Sequence, residues 1–470
     1  MLNIMRGDGD LKRAVALTVV MCIFLLTFSA CGSGKLIRSA ESLLGPPLYY
    51  DEYEELVEVF RKQAGFEASL CNPYSGNYRS AIIVEDIDGD YSDEALVFYK
   101  TASSADNGTS EVRINYLDYK NDEWVSVGDA AGHGDGIESV SITDMDGDGY
   151  RELIIVWNTS GVTSNFLVSV YRSKITEPMF SEIFIENCMA YFVFDIDDDS
   201  YDDLFYVTQS VNSDIPQKLA RVIGVSGDSL VLHGEAKLDP NVSRYTLTVP
   251  EKRSDEGTFS LYLDALKGEQ NMITEYLYWD KVDSILINPY INPETMTTTK
   301  TLRFEPIASN DINNDGKIDI PSQSLLTVLP SDEFGNIVFD GSEVGETVYL
   351  TTWSNFKKSE SYPVAYTLIN SKDGYMINLT KEETETLEVV SYREDNRWVV
   401  YGKDSATGES VELYSVVRIE DGAEKAPVNE NYIPVLKNDG STVYVFITQQ
   451  GYDSGIDEQT VKQKITKYPS

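Results

Sequence analysis

The chain has 470 residues, a formal net charge of −39 and a hydrophobic content of 42%. Nucleic acid and anionic lipid surfaces would repel so acidic a protein, which argues against both as partners. The apolar content is sufficient for a hydrophobic core, and 30 tyrosines among many Val, Ile and Thr residues favour β-strands.

The N-terminus has the features of a secretion signal. Arg6, Lys12 and Arg13 precede an apolar run at 14–28, whose length fits the core of a signal peptide better than a membrane-spanning helix, which needs about twenty residues. The run ends in "FSAC", which resembles the bacterial lipobox, in which the cysteine is lipidated. We therefore expect a signal peptide at 1–30, a lipid on Cys31 and a tether at 31–50. The alternative is an uncleaved anchor, and both place the remaining chain outside the cytoplasm, at the bacterial cell membrane.

The next predicted element is a helix over residues 51–66. Leu56, Val57 and Phe60 fall on one face of it, and Gly65 is placed to end it.

Four stretches of nine residues then share one spacing pattern, namely "DIDGDYSDE", "DMDGDGYRE", "DIDDDSYDD" and "DINNDGKID". Carboxylate or amide side chains occupy positions 1, 3, 5 and 9 of each, and position 7 can offer its backbone carbonyl. Because Ca²⁺ takes six to eight oxygen ligands, four such copies predict calcium-binding loops rather than metal-free Asp-Gly hairpin turns, which are the alternative. The predicted ligands are Asp86, Asp88, Asp90, Ser92 and Glu94; Asp144, Asp146, Asp148, Tyr150 and Glu152; Asp195, Asp197, Asp199, Tyr201 and Asp203; Asp311, Asn313, Asp315, Lys317 and Asp319.

The flanking sequences and the repeat period predict the architecture. Apolar, β-favouring runs precede and follow the loops, unlike the helices that flank an EF-hand. The loops start 58, 51 and 116 residues apart, so a further unit is expected before the fourth loop. There Asp264 is kept while Leu266 and Gly268 replace two ligands, which predicts a loop that has lost its ion. Units of this length, with about four strands each, are typical of β-propellers.

The loops resemble those of FG-GAP or VCBS-type repeats, which occur in integrin-like propellers and many bacterial surface proteins. The resemblance covers residues 78 to 330, and with the lipobox it extends to bacterial lipoproteins that carry such repeats. Tyr91 and Ser200 depart from the glycine usual at position 6, and Asn313 is a neutral ligand. Pro321 is expected to end the strand after the fourth loop early.

The predicted fold is therefore mainly β. We expect a β-propeller of four-stranded blades with calcium-binding hairpin loops at 78–374. A β-rich region at 375–470 follows, either as a final blade or as a small α+β module, and ends in a helix capped near Asp457.

The remaining residues give little sign of catalysis. His133 lies in a predicted turn, and His233 lies on a strand without an evident partner. The sequence has no nucleophile elbow and no phosphate-binding glycine loop. Cys71 and Cys188 are expected to be buried free thiols, with one bridge between them as the alternative. The tryptophans are expected in the core rather than stacked on sugars; they are Trp124, Trp157, Trp279, Trp353 and Trp398.

Two functions remain open on this evidence. The leading hypothesis is a calcium-stabilised, lipid-anchored surface protein, not an enzyme, that acts as a scaffold binding a protein or a glycan. The alternative is an extracellular propeller hydrolase or lyase that acts on polysaccharide or phosphate esters. An enzyme would need a carboxylate cluster outside the loops that meets an open calcium position.

Overall fold

The structure is a computed structural model. It describes residues 54–65, 67–101, 111–159, 166–174, 180–210, 217–253, 258–326, 338–339, 342–343, 345–392, 397–404, 407–422, 431–438 and 440–468. The expected signal peptide, Cys31 and the tether lie outside the described residues.

The first described element is helix α1, Glu54–Ala64. Leu56, Val57 and Phe60 are buried, as their spacing on one helical face predicts. Gly65 follows with a positive φ of 88°, and its N–H donates to the Arg61 carbonyl. Among the described helices, none is both long and apolar enough to cross a bilayer.

The chain after α1 is mainly β and forms antiparallel sheets in chain order. The first three sheets comprise, in turn, β1 Ser69–Leu70, β2 Ile82–Glu85, β3 Glu94–Lys100, β4 Val112–Lys120 and β5 Glu123–Ala131; β6 Gly136–Thr143, β7 Glu152–Asn158, β8 Phe166–Ser173 and β9 Phe180–Cys188; β10 Ala190–Phe194, β11 Asp203–Ser210, β12 Gln217–Ser226 and β13 Ser229–Leu238. The predicted four-strand units are therefore present, with the short strand β1 added to the first.

The later sheets are less regular. The fourth sheet comprises β14 Val242–Arg253, β15 Thr258–Lys267, β16 Asn271–Asp280 and β17 Ile285–Ile287. The following strands are β18 Asp319–Leu325, β19 Val338–Phe339, β20 Ser342–Glu343, β21 Tyr349–Lys357, β22 Glu360–Asn370, β23 Tyr375–Leu379, β24 Glu388–Tyr392, β25 Arg397–Lys403, β26 Ser410–Glu420, β27 Tyr432–Asn438, β28 Ser441–Ile447 and β29 Ile465–Lys467. The fifth sheet has the order β18-β21-β22-β23-β29, the sixth has β24-β25-β26-β28-β27, and β19 pairs with β20.

Strands β3, β7, β11 and β15 are buried on both faces, which explains why the first three of them are continuous apolar runs rather than alternating ones. In β7, Ile155 and Trp157 join a core with the first sheet, whereas Ile154 and Val156 join a core with the third. Strand β15 likewise contributes Leu261 to one core. The next residue along, Tyr262, contributes to the core that the fourth and fifth sheets share.

Three expectations need correction in this part of the chain. Pro321 does not end its strand, because β18 lies at the edge of its sheet, where a residue without an N–H is tolerated. Asp264 is not in a loop but in the middle of β15, where it pairs with the fully buried Arg303. The expected boundary between residues 374 and 375 falls inside the fifth sheet, in which β22 pairs with β23.

Three short helices lie between strands of the last two sheets. They are α2 Lys381–Thr386, α3 Gln449–Asp453 and α4 Glu458–Lys464. Asp457 caps α4 by accepting the Thr460 N–H at 2.8 Å, as predicted. The helix ends at Lys464, and β29 then pairs with β23.

Candidate metal centres

The four acidic loops occupy the same place in their sheets. Position 9 of each loop is the first residue of a strand, namely Glu94, Glu152, Asp203 and Asp319 at the starts of β3, β7, β11 and β18. The first three loops connect β2 to β3, β6 to β7 and β10 to β11, and in the fourth an isolated bridge joins Asn310 to Asp319. The strand–loop–strand context predicted from the sequence is confirmed for the first three loops, whereas a single bridge takes the place of the preceding strand in the fourth.

The loops also share a backbone conformation. Positions 4 and 6 have a positive φ in every loop; they are Gly89, Tyr91, Gly147, Gly149, Asp198, Ser200, Asn314 and Gly316. Glycine adopts this region without steric cost, which explains its frequency here. Tyr91, at φ 71°, and Ser200, at φ 83°, adopt it with a side chain, at a cost of roughly 1–2 kcal/mol each. The departure from glycine therefore leaves the loop geometry unchanged.

Three hydrogen bonds recur in all four loops and fix the carboxylates in place. The N–H of position 6 donates to the position 1 carboxylate, and the N–H of position 7 donates to position 5. The N–H of position 2 donates to one oxygen of position 9, at 2.7–3.2 Å. These bonds hold the acids in place while leaving the other oxygen of position 9 without a backbone donor from position 2. The predicted contribution of the position 7 carbonyl stays a prediction.

The first loop brings its acids together around a buried carboxylate. Oxygens of Asp86, Asp88 and Asp90 lie within 4.8 Å of one another. Glu94 is fully buried, and its Oε1 accepts no hydrogen bond from the described residues. Burial, opposed by two backbone hydrogen bonds, raises the pKa of Glu94 to about 7. Asp118 of β4, which no pattern in the sequence indicates, lies opposite Glu94 and is 1% exposed.

The second loop has the same acids but a cation among them. Oxygens of Asp144, Asp146 and Glu152 lie within 4.8 Å of one another. Burial raises the pKa of Glu152 to about 7. Arg172 of β8 lies opposite Glu152 in register, and its guanidinium ion-pairs with Asp146, Asp148 and Glu152. This arginine was not anticipated from the sequence.

The third loop combines its aspartates with a histidine. Oxygens of Asp195, Asp197 and Asp199 lie within 4.8 Å of one another, as do ligand atoms of Asp197, Asp203 and His233. His233 Nδ1 is 2.9 Å from Asp203 Oδ1, so the partner that the sequence did not reveal is a loop carboxylate. The hydrogen bond to Asp203 raises the pKa of His233.

Asp198, at position 4 of the third loop, has a separate role. Asp198 pairs with Lys252 and Lys281 of the fourth sheet, at 2.5 and 2.6 Å. These two partners lower its pKa to about 2. Asp198 therefore links two sheets and lies outside the ligand group formed by the odd positions.

The fourth loop is the least acidic. Asp311 accepts the N–H groups of Asp315 and Gly316 at 3.0 and 2.8 Å, so the loop closes in the same way as the others. Asn313 donates its amide to Asp315 Oδ2 at 3.3 Å, which uses one carboxylate oxygen inside the loop. Burial raises the pKa of Asp319 to about 6.

Several of these acidic groups could hold a metal ion. Carboxylate oxygens converging in a tight loop are the donor set of hard cations such as Ca²⁺. The thiols do not take part, because Cys71 and Cys188 are both free and buried, as expected. Ligand atoms in each of the first three loops lie close enough together to share an ion, and in the second loop the Arg172 guanidinium contacts the same carboxylates.

The other residues considered from the sequence lie apart from these loops. His133 follows β5 in a turn and contacts Glu182 at 2.8 Å. Trp157, Trp279, Trp353 and Trp398 are buried core residues, as predicted, and Trp124 is half-buried.

A scan against models of known protein families gives no match, and neither does a search of curated proteins. Among solved structures, the chain is similar to a rhamnogalacturonan lyase of Bacillus licheniformis, with 10% identity, a TM-score of 0.28, and coverage of 73% of this chain and 91% of that one. An endo-arabinase from Bacteroides thetaiotaomicron matches with 11% identity, a TM-score of 0.22, and coverage of 64% and 98%. An exo-beta-1,3-galactanase from Phanerochaete chrysosporium matches with 12% identity, a TM-score of 0.23, and coverage of 78% and 81%. These TM-scores are too low to carry an argument about function.

Proposed function

We propose that this protein is a calcium-stabilised scaffold outside the cytoplasm, anchored to the bacterial cell membrane by a lipid on Cys31. In this proposal its sheets are propeller blades of the FG-GAP or VCBS type, and the scaffold binds a surface protein or a glycan. The observation that carries the proposal is the repetition of one loop. Four loops share the acid spacing, the two left-handed positions and the three hydrogen bonds, although their other residues differ.

Calcium suits these loops better than other biological cations. Each loop offers several carboxylates and other oxygen groups, as Ca²⁺ with its six to eight oxygen ligands requires, whereas Mg²⁺ requires a small octahedral shell and retains its waters. Zinc favours thiolate and imidazole ligands, and only His233 among the described residues adds such a group to a loop. The carboxylates repel one another without a cation, so an ion bound to the folded state stabilises it against unfolding.

The packing of the sheets supports the propeller interpretation. Successive sheets share hydrophobic cores, and their second strands bury both faces. The loops of neighbouring sheets also meet. A Cβ on Gly89 would lie 2.5 Å from the Gly149 carbonyl oxygen of the next loop, and one on Gly147 would clash with the Tyr201 ring of the loop after it. Loops stacked along one side of packed sheets are expected of blades in a radial array.

A scaffold function explains the acidic residues of the loops better than catalysis does. The enzymatic alternative requires a carboxylate cluster outside the loops that meets an exposed metal position. Asp118 is a carboxylate outside the loops that lies beside one of them, but it is 1% exposed and so cannot reach a substrate. We therefore assign the acids to structure rather than to catalysis.

Thermal unfolding of the full chain, purified in detergent, tests the proposal. Calcium at 100 times the dissociation constant adds about 2.7 kcal/mol per site. The melting temperature should therefore rise by many degrees in calcium relative to chelator, with little recovery in magnesium. Equal melting temperatures in all three conditions would show that the loops are ordinary turns. A screen of glycans and surface proteins, with and without calcium, then tests binding.

A further inference from the structure

The four loops differ in the side chain that faces position 9. This residue lies opposite position 9 on the next strand of the sheet, and we call it the facing residue. It is Asp118 opposite Glu94, Arg172 opposite Glu152 and Asn355 opposite Asp319. In the third sheet Gly224 follows Ile223, the partner of Leu204, and a Cβ on Gly224 would lie 2.6 Å from the His233 ring. The facing side chain is thus an anion, a cation, an amide or an imidazole in four loops of otherwise equal geometry.

The cation of the second loop lies among the predicted ligands. Arg172 is 2% exposed, and its Nη1 is 3.2 Å from Asp146 Oδ2 and 3.4 Å from Glu152 Oε1. Its Nη2 contacts Asp148 Oδ2. One guanidinium therefore contacts three of the four acidic side chains that would bind an ion. Its planar fork of donors is suited to carboxylates in this arrangement.

A second element completes the enclosure of this arginine. The turn between β12 and β13, in the next sheet, places Gly227 over the loop. Its carbonyl accepts from Arg172 Nη1, and its N–H donates to Asp146 Oδ2 at 2.8 Å. Asp146 Oδ2 thus already accepts from two protein donors. A divalent ion at this point would lose those contacts and meet a buried positive charge.

The first loop has the opposite arrangement. The facing residue Asp118 adds a buried carboxylate to the side on which Glu94 Oε1 lacks a donor among the described residues. A cation does approach Asp118, namely Lys120, but its side chain is 43% exposed, so it lies at the rim. The buried centre of this loop has a surplus of negative charge, whereas in the second loop Arg172 offsets it.

We propose that the facing residue decides which loops bind a divalent ion, and that Arg172 replaces the ion in the second loop. Asp118 strengthens the site in the first loop. The inference rests on the proposed function, because it takes these loops as calcium sites. This inference lowers the expected number of bound calcium ions, because the second loop has all the predicted ligands and nevertheless binds no calcium.

Counting the calcium ions bound to the full chain, by calorimetric titration and native mass spectrometry, tests this proposal. Arg172→Gln should bind one more ion than the unaltered protein, because the side chain still fills the space but its charge is gone. Arg172→Lys keeps a cation and should bind no additional ion. Arg221→Gln is the matched control, since it removes an equal charge from a more exposed ion pair with Glu235. Adding Asp144→Asn to Arg172→Gln should abolish the extra site.

Milder substitutions keep the test valid if Arg172→Gln does not fold. In the otherwise unaltered chain, Asp86→Asn should cost one bound ion and Asp118→Asn should weaken one site tenfold or more. Asp144→Asn should change neither the number nor the affinity of bound ions. A loss of one ion on Asp144→Asn, or equal non-zero counts for Arg172→Gln and the unaltered protein, would overturn this inference alone. If no form of the chain binds calcium, the proposed function fails together with it.

Discussion

Replacing Glu94 with glutamine should change stability in opposite directions with and without calcium. Glu94 is fully buried, and its carboxylate accepts the Ile87 and Asp88 N–H groups through Oε2 only. Glutamine has the same shape, and its amide oxygen can keep both bonds while its NH₂ group faces the neighbouring acids. The substitution therefore removes a charge and little else.

The magnitude without calcium follows from the pKa. The pKa of Glu94 is raised from 4.5 to about 7, so the native state holds this proton more tightly than the unfolded chain does. The stability that this group contributes is fully present below pH 4.5 and is lost as pH rises towards 7. One pKa unit corresponds to about 1.4 kcal/mol, so at pH 8 the ionised carboxylate costs at most about 3 kcal/mol. Glu94→Gln should recover part of this cost in chelator and raise the melting temperature.

In calcium the same substitution removes a ligand. If the unaltered site gains about 2.7 kcal/mol at 100 times its dissociation constant, a tenfold to hundredfold weaker site loses about 1–2 kcal/mol of it. The calcium-induced rise in melting temperature should therefore be smaller in Glu94→Gln than in the unaltered chain. Tryptophan fluorescence during heating at pH 8 measures both effects. Glu123→Gln, at the exposed first residue of β5 in the same sheet, is the control and should change neither. A shift of equal size and sign in calcium and in chelator would refute a metal-binding role for Glu94.

Other substitutions separate the loops from the rest of the fold. Asp197→Ala should reduce the stabilisation by calcium, whereas Asp198→Ala should leave it unchanged, because Asp198 pairs with two lysines. Equal effects of the two substitutions on the calcium-dependent melting temperature would contradict the assigned ligands. Arg303→Met should lower the free energy of unfolding by about 3–5 kcal/mol in chemical denaturation, because it leaves Asp264 as an uncompensated buried charge. A loss under about 1 kcal/mol would contradict this role of the ion pair. Burial raises the pKa of Glu275 to about 8, so the native state holds this proton more tightly than the unfolded chain does. The stability that Glu275 contributes is therefore fully present below pH 4.5 and is lost as pH rises to 8. Glu275→Gln should flatten this decline in melting temperature, and an unchanged pH profile would argue against the shift.

Much of the fold could be predicted from the sequence because the local signals agree. Runs such as "LIIVW" directly after a position 9 acid predict strands buried on both faces, and β7 is buried in this way. The acid spacing at 1, 3, 5 and 9 predicts a closed loop, since alternate side chains of a tight turn point inward. The spacing alone also places Asp198, at position 4 of its loop, outside the ligand group. These are short-range effects, and a nine-residue window contains all the atoms that produce them.

The side chains that other strands bring beside position 9 could be identified only from the tertiary structure. Asp118, Arg172 and His233 lie 24, 20 and 30 residues beyond position 9 of their loops, as 118 − 94, 172 − 152 and 233 − 203 give. No fixed spacing relates them, because strand lengths and turns differ between the sheets. Strand register and side-chain packing bring them to the loops, and both depend on the whole sheet. The sequence by itself therefore determined where the acids converge, whereas the charge at the centre of each loop was decided by a strand that pairs beside it.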